Sequence, residues 1–280
     1  MKIIIDNKKE LARKIKEFRK SGRNKIHVLS DFDRTLTKAF VNGQKVPSVI
    51  SIIRDGSYIS KDYAKKANAL AEKYHPIEID SNISIEEKKK AMDKWWREHF
   101  DLLIKSGLSK SDIERATKSH LIQLRYDSKE FLHELNENTI PLVILSSSGL
   151  GGDSISMILK NNNVQCNNIS ILSNTYKWDK KGKAIGIKEP VIHVFNKDET
   201  TLEGLPIYDK LIDRPYIVLL GDSLGDLGMI EGFPYKEVIK IGFLDDGYGD
   251  LEKYKEFFDV VITEDGDFSE VNKILKEILD

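Results

Sequence analysis

The sequence contains a single cysteine, Cys166, among 280 residues. This excludes an intrachain disulfide bond and any metal site built from several cysteines. No apolar run approaches the ~18 residues that a membrane-spanning helix requires. The apolar start at residues 3–5 gives way to charged residues at once, which argues against a secretory signal. These absences predict a cytosolic protein.

Neither sign of charge is in excess, since 44 lysines and arginines nearly cancel 45 aspartates and glutamates. A nucleic-acid-binding protein usually carries a clear basic surplus, so the balance argues against that class. Hydrophobic residues make up 40% of the chain and charged residues 32%, which is typical of a folded domain rather than a disordered one. The length suits one large domain, or a core with a smaller second domain.

Short apolar runs rich in β-branched residues predict buried strands. They are 26–30, 140–146, 169–172, 216–220, 238–243 and 260–263. Most of them are separated by helical patterns, which is the signature of a parallel sheet with crossover helices. From about residue 43 to 127 the patterns are helical instead, and Ser84 with Glu87 forms a capping box there. The sequence therefore predicts an α/β fold with an inserted helical cap over the strand ends.

A pair of carboxylates, Asp31 and Asp33, follows the first of these strands directly. If the backbone leaves the strand there, both side chains can face one pocket. An ionised aspartate can attack phosphorus to form an aspartyl phosphate. A second aspartate can protonate the leaving oxygen and later activate water. The alternative is a polar turn that only caps a helix.

A second acidic turn, Gly221–Asp226, follows the strand at 216–220. Asp222 could complete a Mg²⁺ site, because Mg²⁺ prefers a few carboxylate oxygens together with water and substrate phosphate. Asp226, one turn further on, could orient the groups around it. The alternative is an ordinary Gly-Asp turn. Acidic turns at two strand ends favour a bound cation, because their charges repel one another without one.

A third turn, Ser147–Gly152, consists of small residues and precedes a helix. Such a turn lets backbone amides and a hydroxyl approach a phosphate near a helix N-terminus. Without the other two motifs, an ordinary loop would be the better interpretation. Open α/β sheets bind ligands at the carboxyl ends of their strands, so the three turns are expected to converge on one site.

The order of these motifs resembles the haloacid dehalogenase superfamily of phosphohydrolases. More narrowly, the chain resembles the cytosolic pyrimidine 5′-nucleotidase (type III) family, whose vertebrate members include a 7-methylguanosine-phosphate-specific branch. The resemblance runs from about residue 31 to the C-terminus and rests on Ser30–Thr37, Ile77–Asp80, Ser147–Gly151, His193–Lys197 and Leu219–Asp226. It implies a Rossmann-like catalytic core formed by residues 1–42 and 128–280, and a helical cap formed by residues 43–127 that determines specificity.

The resemblance also implies roles for the charged residues. Asp31 would be the nucleophile and Asp33 the acid and base. Mg²⁺ would lie between the Asp31 carboxylate, the Asp33 backbone carbonyl and Asp222, with Asp226 in support. Lys197 would neutralise phosphate charge and keep the nucleophile ionised.

The phosphate would be held by the third turn. Ser147 and Ser148 are the expected ligands, together with Gly149, and Ser148 replaces the alanine that is usual in the family.

In the cap, Glu78 matches a family glutamate that accepts hydrogen bonds from the base or sugar, and Trp96 matches an aromatic residue that stacks on the base. A tryptophan there looks more like the 7-methylguanosine branch, and an indole face attracts a cationic methylated purine. Adjacent helical positions point about 100° apart, so one of Trp95 and Trp96 is expected in the core. His99 departs from the family and could add a second stacking face; the alternative is a packed histidine.

The sequence thus predicts a Mg²⁺-dependent 5′-nucleotidase, a phosphoric monoester hydrolase. It would convert CMP, UMP or 7-methyl-GMP to nucleoside and phosphate through an aspartyl phosphate. The alternatives are a phosphatase for another small metabolite, such as phosphoserine or a sugar phosphate, and a nucleoside phosphotransferase. A non-catalytic nucleotide-binding protein is a more distant one. The expected partner is the nucleotide alone, without nucleic acid or membrane, and the chain is expected to be a monomer.

Overall fold

The computed structural model describes residues 1–46, 48–55, 58–80, 82–197, 207–231, 234–245, 247 and 249–280, with Asp55 described by its backbone alone. The strands within these residues are β1 (Ile3–Ile4), β2 (Ile26–Ser30), β3 (Phe40–Val41), β4 (Gln44–Lys45), β5 (Leu142–Ser146), β6 (Ile169–Ser173), β7 (Tyr176–Trp178), β8 (Ala184–Ile187), β9 (Tyr216–Gly221), β10 (Glu237–Leu244) and β11 (Val260–Thr263). The helices are α1 (Lys8–Ser21), α2 (Val49–Asp55), α3 (Lys61–Ile79), α4 (Ile85–Lys105), α5 (Lys110–Thr117), α6 (Ser128–Glu137), α7 (Gly151–Asn161), α8 (Tyr208–Leu211), α9 (Leu251–Phe257) and α10 (Ser269–Leu279).

A seven-stranded sheet forms the centre of the molecule, in the order β1-β11-β10-β9-β2-β5-β6. All neighbouring strands run parallel except β1, which pairs antiparallel with β11. Every residue of β2 and β5 is buried. Burial on both faces explains why these strands are continuously apolar rather than alternating. The predicted α/β fold with a mainly parallel sheet is confirmed, and the six predicted strands match β2, β5, β6, β9, β10 and β11.

The three strands that carry the motifs are neighbours in this sheet. β2 pairs with β9 on one side and with β5 on the other, and Ser30 is in register with both Leu220 and Ile144. The chain leaves β2 for β5 on one side of it and later reaches β9 on the other, so a crevice opens at this reversal of strand order. The carboxyl ends of β2, β5 and β9 therefore share one edge of the sheet.

Helices α2 to α5 lie in the sequence between β2 and β5. The capping box of Ser84 and Glu87 opens α4, and Gly107, at φ +80°, follows its end. A left-handed backbone is well suited to glycine, which explains the stop. The division into core and cap at residues 43 and 127 stays a prediction, and the short β3–β4 hairpin straddles the first of these boundaries. None of the described helices combines the length and the apolarity needed to cross a membrane.

Candidate active site

The three turns meet at one cavity of about 210 Å³ at the edge of the sheet. Side chains from the turns after β2, β5 and β9 form one wall, and helices α2, α3 and α4 form the other. The charged and hydroxyl residues that line it are Asp31, Asp33, Arg34, Ser48, Arg54, Glu78, Ser146, Ser147, Lys197, Asp222, Ser223 and Asp226. The remaining lining residues are Ile50, Met92, Trp95, Trp96, His99 and Val194. We call the wall formed by the turns the sheet end and the wall formed by the helices the cap end.

Asp31 is held in place at the sheet end by its neighbours. Its backbone N–H donates to the Leu220 carbonyl at 3.0 Å, which ties the end of β2 to β9. The Lys197 ammonium donates to Asp31 Oδ1 and, at 2.9 Å, to Asp226 Oδ1. Burial raises the pKa of Asp31, and the positive charge of Lys197 partly offsets that rise. Burial alone would lower the pKa of Lys197, but the negative charges of Asp226 and Asp31 outweigh burial and raise this pKa above its usual value. The lysine therefore stays charged.

Asp33 lies beside Asp31 and lines the same cavity. Its Oδ1 accepts a hydrogen bond of 3.1 Å from the Val49 backbone N–H at the start of α2. Desolvation, and next the negative charge of Asp31, raise the pKa of Asp33 to about 7. A carboxyl group with such a pKa can hold and release a proton near neutral pH, which is what a general acid and base requires.

A buried triad of carboxylates, Asp31, Asp222 and Asp226, brings its oxygens within 4.8 Å of one another. Asp226 is already engaged, because its Oδ2 accepts from the backbone N–H groups of residues 222 and 223 at 3.1 and 3.0 Å. Asp222 Oδ2 is buried and accepts no hydrogen bond from the described residues, although Arg34 Nη2 lies 2.7 Å away as an ion-pair partner. Burial raises the pKa of Asp222 well above its usual value.

This donor set fits a divalent cation. Hard oxygen ligands in a buried acidic cluster suit such an ion, and its charge would offset the repulsion among the carboxylates. Asp31 and Asp222 are the members of the triad with oxygens still available. The predicted contribution of the Asp33 backbone carbonyl stays a prediction.

In the turn after β5 the structure separates the two predicted phosphate ligands. Ser147 lines the cavity. Ser148 is buried behind it, with its hydroxyl 3.4 Å from the Ser154 hydroxyl, and it does not line the cavity. Gly149 does not line it either; a Cβ built there would lie 2.7 Å from Trp96 Cζ3 and 3.0 Å from Ile50 Cγ1. Gly149 therefore provides close contact between this turn and the helices opposite.

Both tryptophans of α4 line the cap end, which contradicts the expectation that one of them belongs to the core. Trp95 and Trp96 are half-buried and stacked, with ring centroids 6.1 Å apart and an angle of 16° between the rings. Trp95 also stacks on Tyr74 at 5.9 Å. The rings of adjacent residues meet because long side chains can fold toward one another, so the 100° between their Cα directions does not separate them.

Glu78 lines the cavity, as predicted, and accepts a hydrogen bond of 3.1 Å from His75 Nδ1. His99 is buried and stacks on Trp96 with centroids 5.8 Å apart. Its Nε2 lies 3.0 Å from the Tyr63 hydroxyl. Burial, and then the charge of Arg54, lower the pKa of His99 to about 3. His99 is therefore neutral at physiological pH and extends the aromatic wall behind Trp96.

Sequence reasoning missed two arginines that line the site, Arg34 and Arg54, and a third, Arg125, that supports the turn after β2. Arg34 follows Asp33 directly and pairs with Asp222, so its place within the motif could have identified it. Arg54 lies one helical turn after Ile50 and lines the cavity with it. Arg125 is fully buried and donates to the carbonyls of Arg34 and, at 3.1 Å, of Thr35. No local pattern distinguishes Arg125 from an exposed arginine, because its partners are distant in sequence.

The fold and site define a haloacid-dehalogenase-type phosphohydrolase. Its marks are the parallel sheet, the acidic turns at neighbouring strand ends and the hydrogen bond from Lys197 to Asp31. A phosphoserine phosphohydrolase-like protein from Francisella tularensis subsp. tularensis SCHU S4 shares this fold, with a TM-score of 0.52 at 18% identity over 89% of this chain and 99% of that chain.

Residues 34–279 match the family model of the pyrimidine 5′-nucleotidases (UMPH-1), and the chain belongs to that family. It is 35% identical to a 7-methylguanosine phosphate-specific 5′-nucleotidase of Gallus gallus over 267 residues, which are 95% of this chain and 92% of that protein. The crystal structure of cytosolic 5′-nucleotidase IIIB bound to cytidine is similar, with a TM-score of 0.88 at 31% identity. That match covers 99% of this chain and 93% of the other.

Proposed function

We propose that the protein is a Mg²⁺-dependent 5′-nucleotidase that hydrolyses nucleoside 5′-monophosphates with a pyrimidine or 7-methylguanine base. The observation that carries the proposal is the single cavity that joins Asp31, Asp33 and Lys197 to a wall of stacked aromatic rings. The first three residues suit a phosphate, and the rings suit a planar base. Relatives named for 7-methylguanosine phosphate and for bound cytidine support this choice of substrates.

In the proposed reaction, an Asp31 carboxylate oxygen attacks the phosphorus in line with the bond to the 5′-oxygen. Asp33 delivers its proton to the departing 5′-oxygen, so the nucleoside leaves as a neutral alcohol. Asp33, now ionised, takes a proton from water, and the water oxygen attacks the phosphorus of the aspartyl phosphate. Asp31 is released as a carboxylate and Asp33 is protonated again, so protons and charge balance over the cycle.

The other charged residues stabilise this sequence. Lys197 holds Asp31 in place and lies where its positive charge can offset the charge of the phosphoryl oxygens. Ser147 lines the cavity, and its hydroxyl would donate to the phosphate. Asp31 and Asp222 would hold Mg²⁺, which when bound supplies further positive charge to the phosphoryl group. Arg34 would keep Asp222 ionised and in position.

At the cap end, we infer that the base stacks on Trp96 and that Glu78 accepts hydrogen bonds from its N–H groups. Both residues line the cavity from the helices of the cap end. A cytoplasmic location accords with the name of cytosolic 5′-nucleotidase IIIB.

The proposal is tested by measuring phosphate release with Mg²⁺ from CMP, UMP, AMP, GMP, 7-methyl-GMP, phosphoserine and a hexose phosphate, with Asp31→Asn as the blank. We expect nucleotides with a pyrimidine or 7-methylguanine base to be the best substrates. Release from phosphoserine or the sugar phosphate alone would preserve the chemistry and refute the assignment of the cap. Release from no compound would refute the enzymatic function.

A further inference from the structure

The cap end contains an arginine whose donors are not engaged by the residues that the structure describes. Arg54 lines the cavity, and its Nε is buried without a hydrogen-bond partner among the described residues. Its guanidinium also forms no ion pair within the part of the chain that the structure describes. Arg34 and Arg97, in contrast, pair with Asp222 and Glu189. A buried donor without a partner is costly, so Arg54 is free to bind an acceptor supplied by a ligand.

The geometry of α2 separates the backbone of this arginine from the residue that contacts Asp33. The helix begins at Val49, whose N–H donates to the Asp33 carboxylate. With a rise of about 1.5 Å per residue, the Arg54 backbone lies about 7–8 Å further along the helix axis. Ile50, one turn before Arg54 on the same face, reaches the contact between Trp96 and Gly149. Arg54 thus shares a helix face with Ile50, which reaches the aromatic wall.

The electrostatics agree with this position. The charge of Arg54 acts on His99 and Tyr63, two residues of the cap helices, and lowers the pKa of each relative to burial alone. Arg54 is not among the leading contributions to the pKa shifts of Asp31 and Asp33, where burial is the largest, followed by the charge of Lys197 for Asp31 and of Asp31 for Asp33. Since His99 is neutral near pH 7, the charged side chains that line the cap end among the described residues are Arg54 and Glu78.

We propose that Arg54 determines which base the site accepts, by donating to a carbonyl oxygen of a neutral base and repelling the positive charge of 7-methylguanine. Arg54 donates and Glu78 accepts, so together they suit a base with both a carbonyl oxygen and an N–H group. Cytosine, uracil and guanine each offer this pair. Methylation of guanine at N7 removes one acceptor and adds a positive charge. The inference rests on the proposed function and narrows its bases to the pyrimidines, with guanine serving as the uncharged comparison for 7-methylguanine.

The aromatic wall alone would favour the opposite choice, because stacked indole rings attract a cationic base. Arg54 opposes this attraction, because its positive charge repels the positive charge of a base bound in the same cavity. The preference between a cationic and a neutral base therefore depends on the charge of Arg54, which can be removed without changing the aromatic rings. GMP and 7-methyl-GMP form a matched pair for this test, since they differ by one methyl group and its charge.

The experiment measures kcat/KM for GMP, CMP and 7-methyl-GMP with the wild-type protein and with Arg54→Met, Arg54→Gln and Arg54→Lys. We expect Arg54→Met and Arg54→Gln to raise the ratio of 7-methyl-GMP to GMP by about 10-fold, as loss of one charge contact would. Arg54→Lys keeps the charge and should change the ratio much less. Because each ratio is taken within one variant, a loss of folded protein cancels.

Lys65→Met serves as the matched control, because Lys65 is an exposed cation on α3 outside the cavity. In Lys65→Met, the kcat/KM ratio of 7-methyl-GMP to GMP should equal that of the wild type. An unchanged ratio in both neutral Arg54 variants would overturn the role of Arg54 and leave the nucleotidase function intact. If the wild-type protein hydrolyses phosphoserine but no nucleotide, the proposed function fails first and the role of Arg54 fails with it.

Discussion

At the sheet end of the cavity, the charged side chains are held by one another and by the backbone. Lys197 bridges Asp31 and Asp226, Asp226 accepts from the backbone N–H groups that follow β9, and the Tyr254 hydroxyl donates to the Asp222 carbonyl at 2.6 Å. At the cap end, two donors that line the cavity, Trp95 Nε1 and Arg54 Nε, are buried without hydrogen-bond partners among the described residues. At the sheet end, Asp222 Oδ2 accepts no hydrogen bond from the described residues either, but it pairs with the Arg34 guanidinium at 2.7 Å.

This difference separates two tasks of one cavity. Groups that act on a transition state gain from being fixed in advance, since no reorganisation is then needed during the reaction. Groups that select a ligand discriminate best when the right ligand satisfies them and the wrong one leaves them unpaired. The charged groups of the sheet end are fixed in advance, whereas donors of the cap end are left for a ligand to satisfy. The substitutions below test that separation.

The largest effect is expected from Asp31→Asn at the sheet end. The amide cannot act as the nucleophile, so kcat should fall by at least about 1,000-fold on every substrate. Lys197 keeps Asp226 as a partner, so the melting temperature should stay close to that of the wild type. Steady-state kinetics and thermal melting measure the two quantities. Residual activity above a few per cent would show that Asp31 is not the nucleophile.

A loss of stability is expected next, from Arg125→Met. Arg125 is fully buried and donates to Asp245 at 2.7 Å, so its removal leaves a buried carboxylate unpaired. We expect about 3–5 kcal/mol less free energy of unfolding, from denaturant titration. Arg97→Met is the matched control, because its pair with Glu189 is exposed and should contribute at most about 1 kcal/mol. Equal losses of unfolding free energy in the two variants would contradict the view that buried ion pairs hold the sheet end in place.

Acid should act on the cap end through His99. Its folded-state pKa, about 3, lies below the value of about 6.5 in an unfolded chain. Between these values the unfolded state binds the additional proton, so stability falls as the pH falls from about 6.5 toward 3. At pH 4.5 this one group should lower the free energy of unfolding by about 2–3 kcal/mol relative to pH 7.

Urea unfolding at pH 7 and pH 4.5 measures this effect. His99→Gln should lose less stability between the two pH values than the wild type loses. His133→Gln, which replaces an exposed histidine on α6, should behave like the wild type. Identical losses in all three proteins would show that His99 is not held neutral by its surroundings.

The smallest effect is expected from Trp96→Ala. Loss of a stacking ring should raise KM for nucleotides by about 10-fold to 100-fold, corresponding to about 1–3 kcal/mol of base stacking. A small aryl phosphate, which lacks the nucleoside, should be affected less. A uniform loss on both substrates would mean that Trp96 supports the sheet end as well, and the separation of the two ends would then fail.

Sequence patterns predicted the buried strands of the central sheet. Strands such as β2 and β11 were predicted to the residue, because an apolar run between polar turns has few other places in a folded chain. The β7–β8 hairpin and the short β3–β4 hairpin were missed. Such short pairs form where two segments happen to meet, and their sequences show no periodicity.

Within the site, prediction succeeded for residues in contiguous motifs and was incomplete elsewhere. Asp31, Asp222 and Lys197 come together as the resemblance implies, and their assigned roles stay predictions. The direction of the Ser148 side chain depends on packing against α7, which no local pattern contains. Arg54 was missed because a single arginine in a short helix resembles any exposed one until the fold places it.

The close contact at Gly149 has a consequence for engineering. A side chain there would collide with Trp96 and Ile50, so the turn and the helices opposite can change only together. A cap grafted from a relative would need a residue of matching size at position 149 to seat on this core. Libraries that diversify the cap to obtain new substrates should therefore vary position 149 jointly with positions 50 and 96.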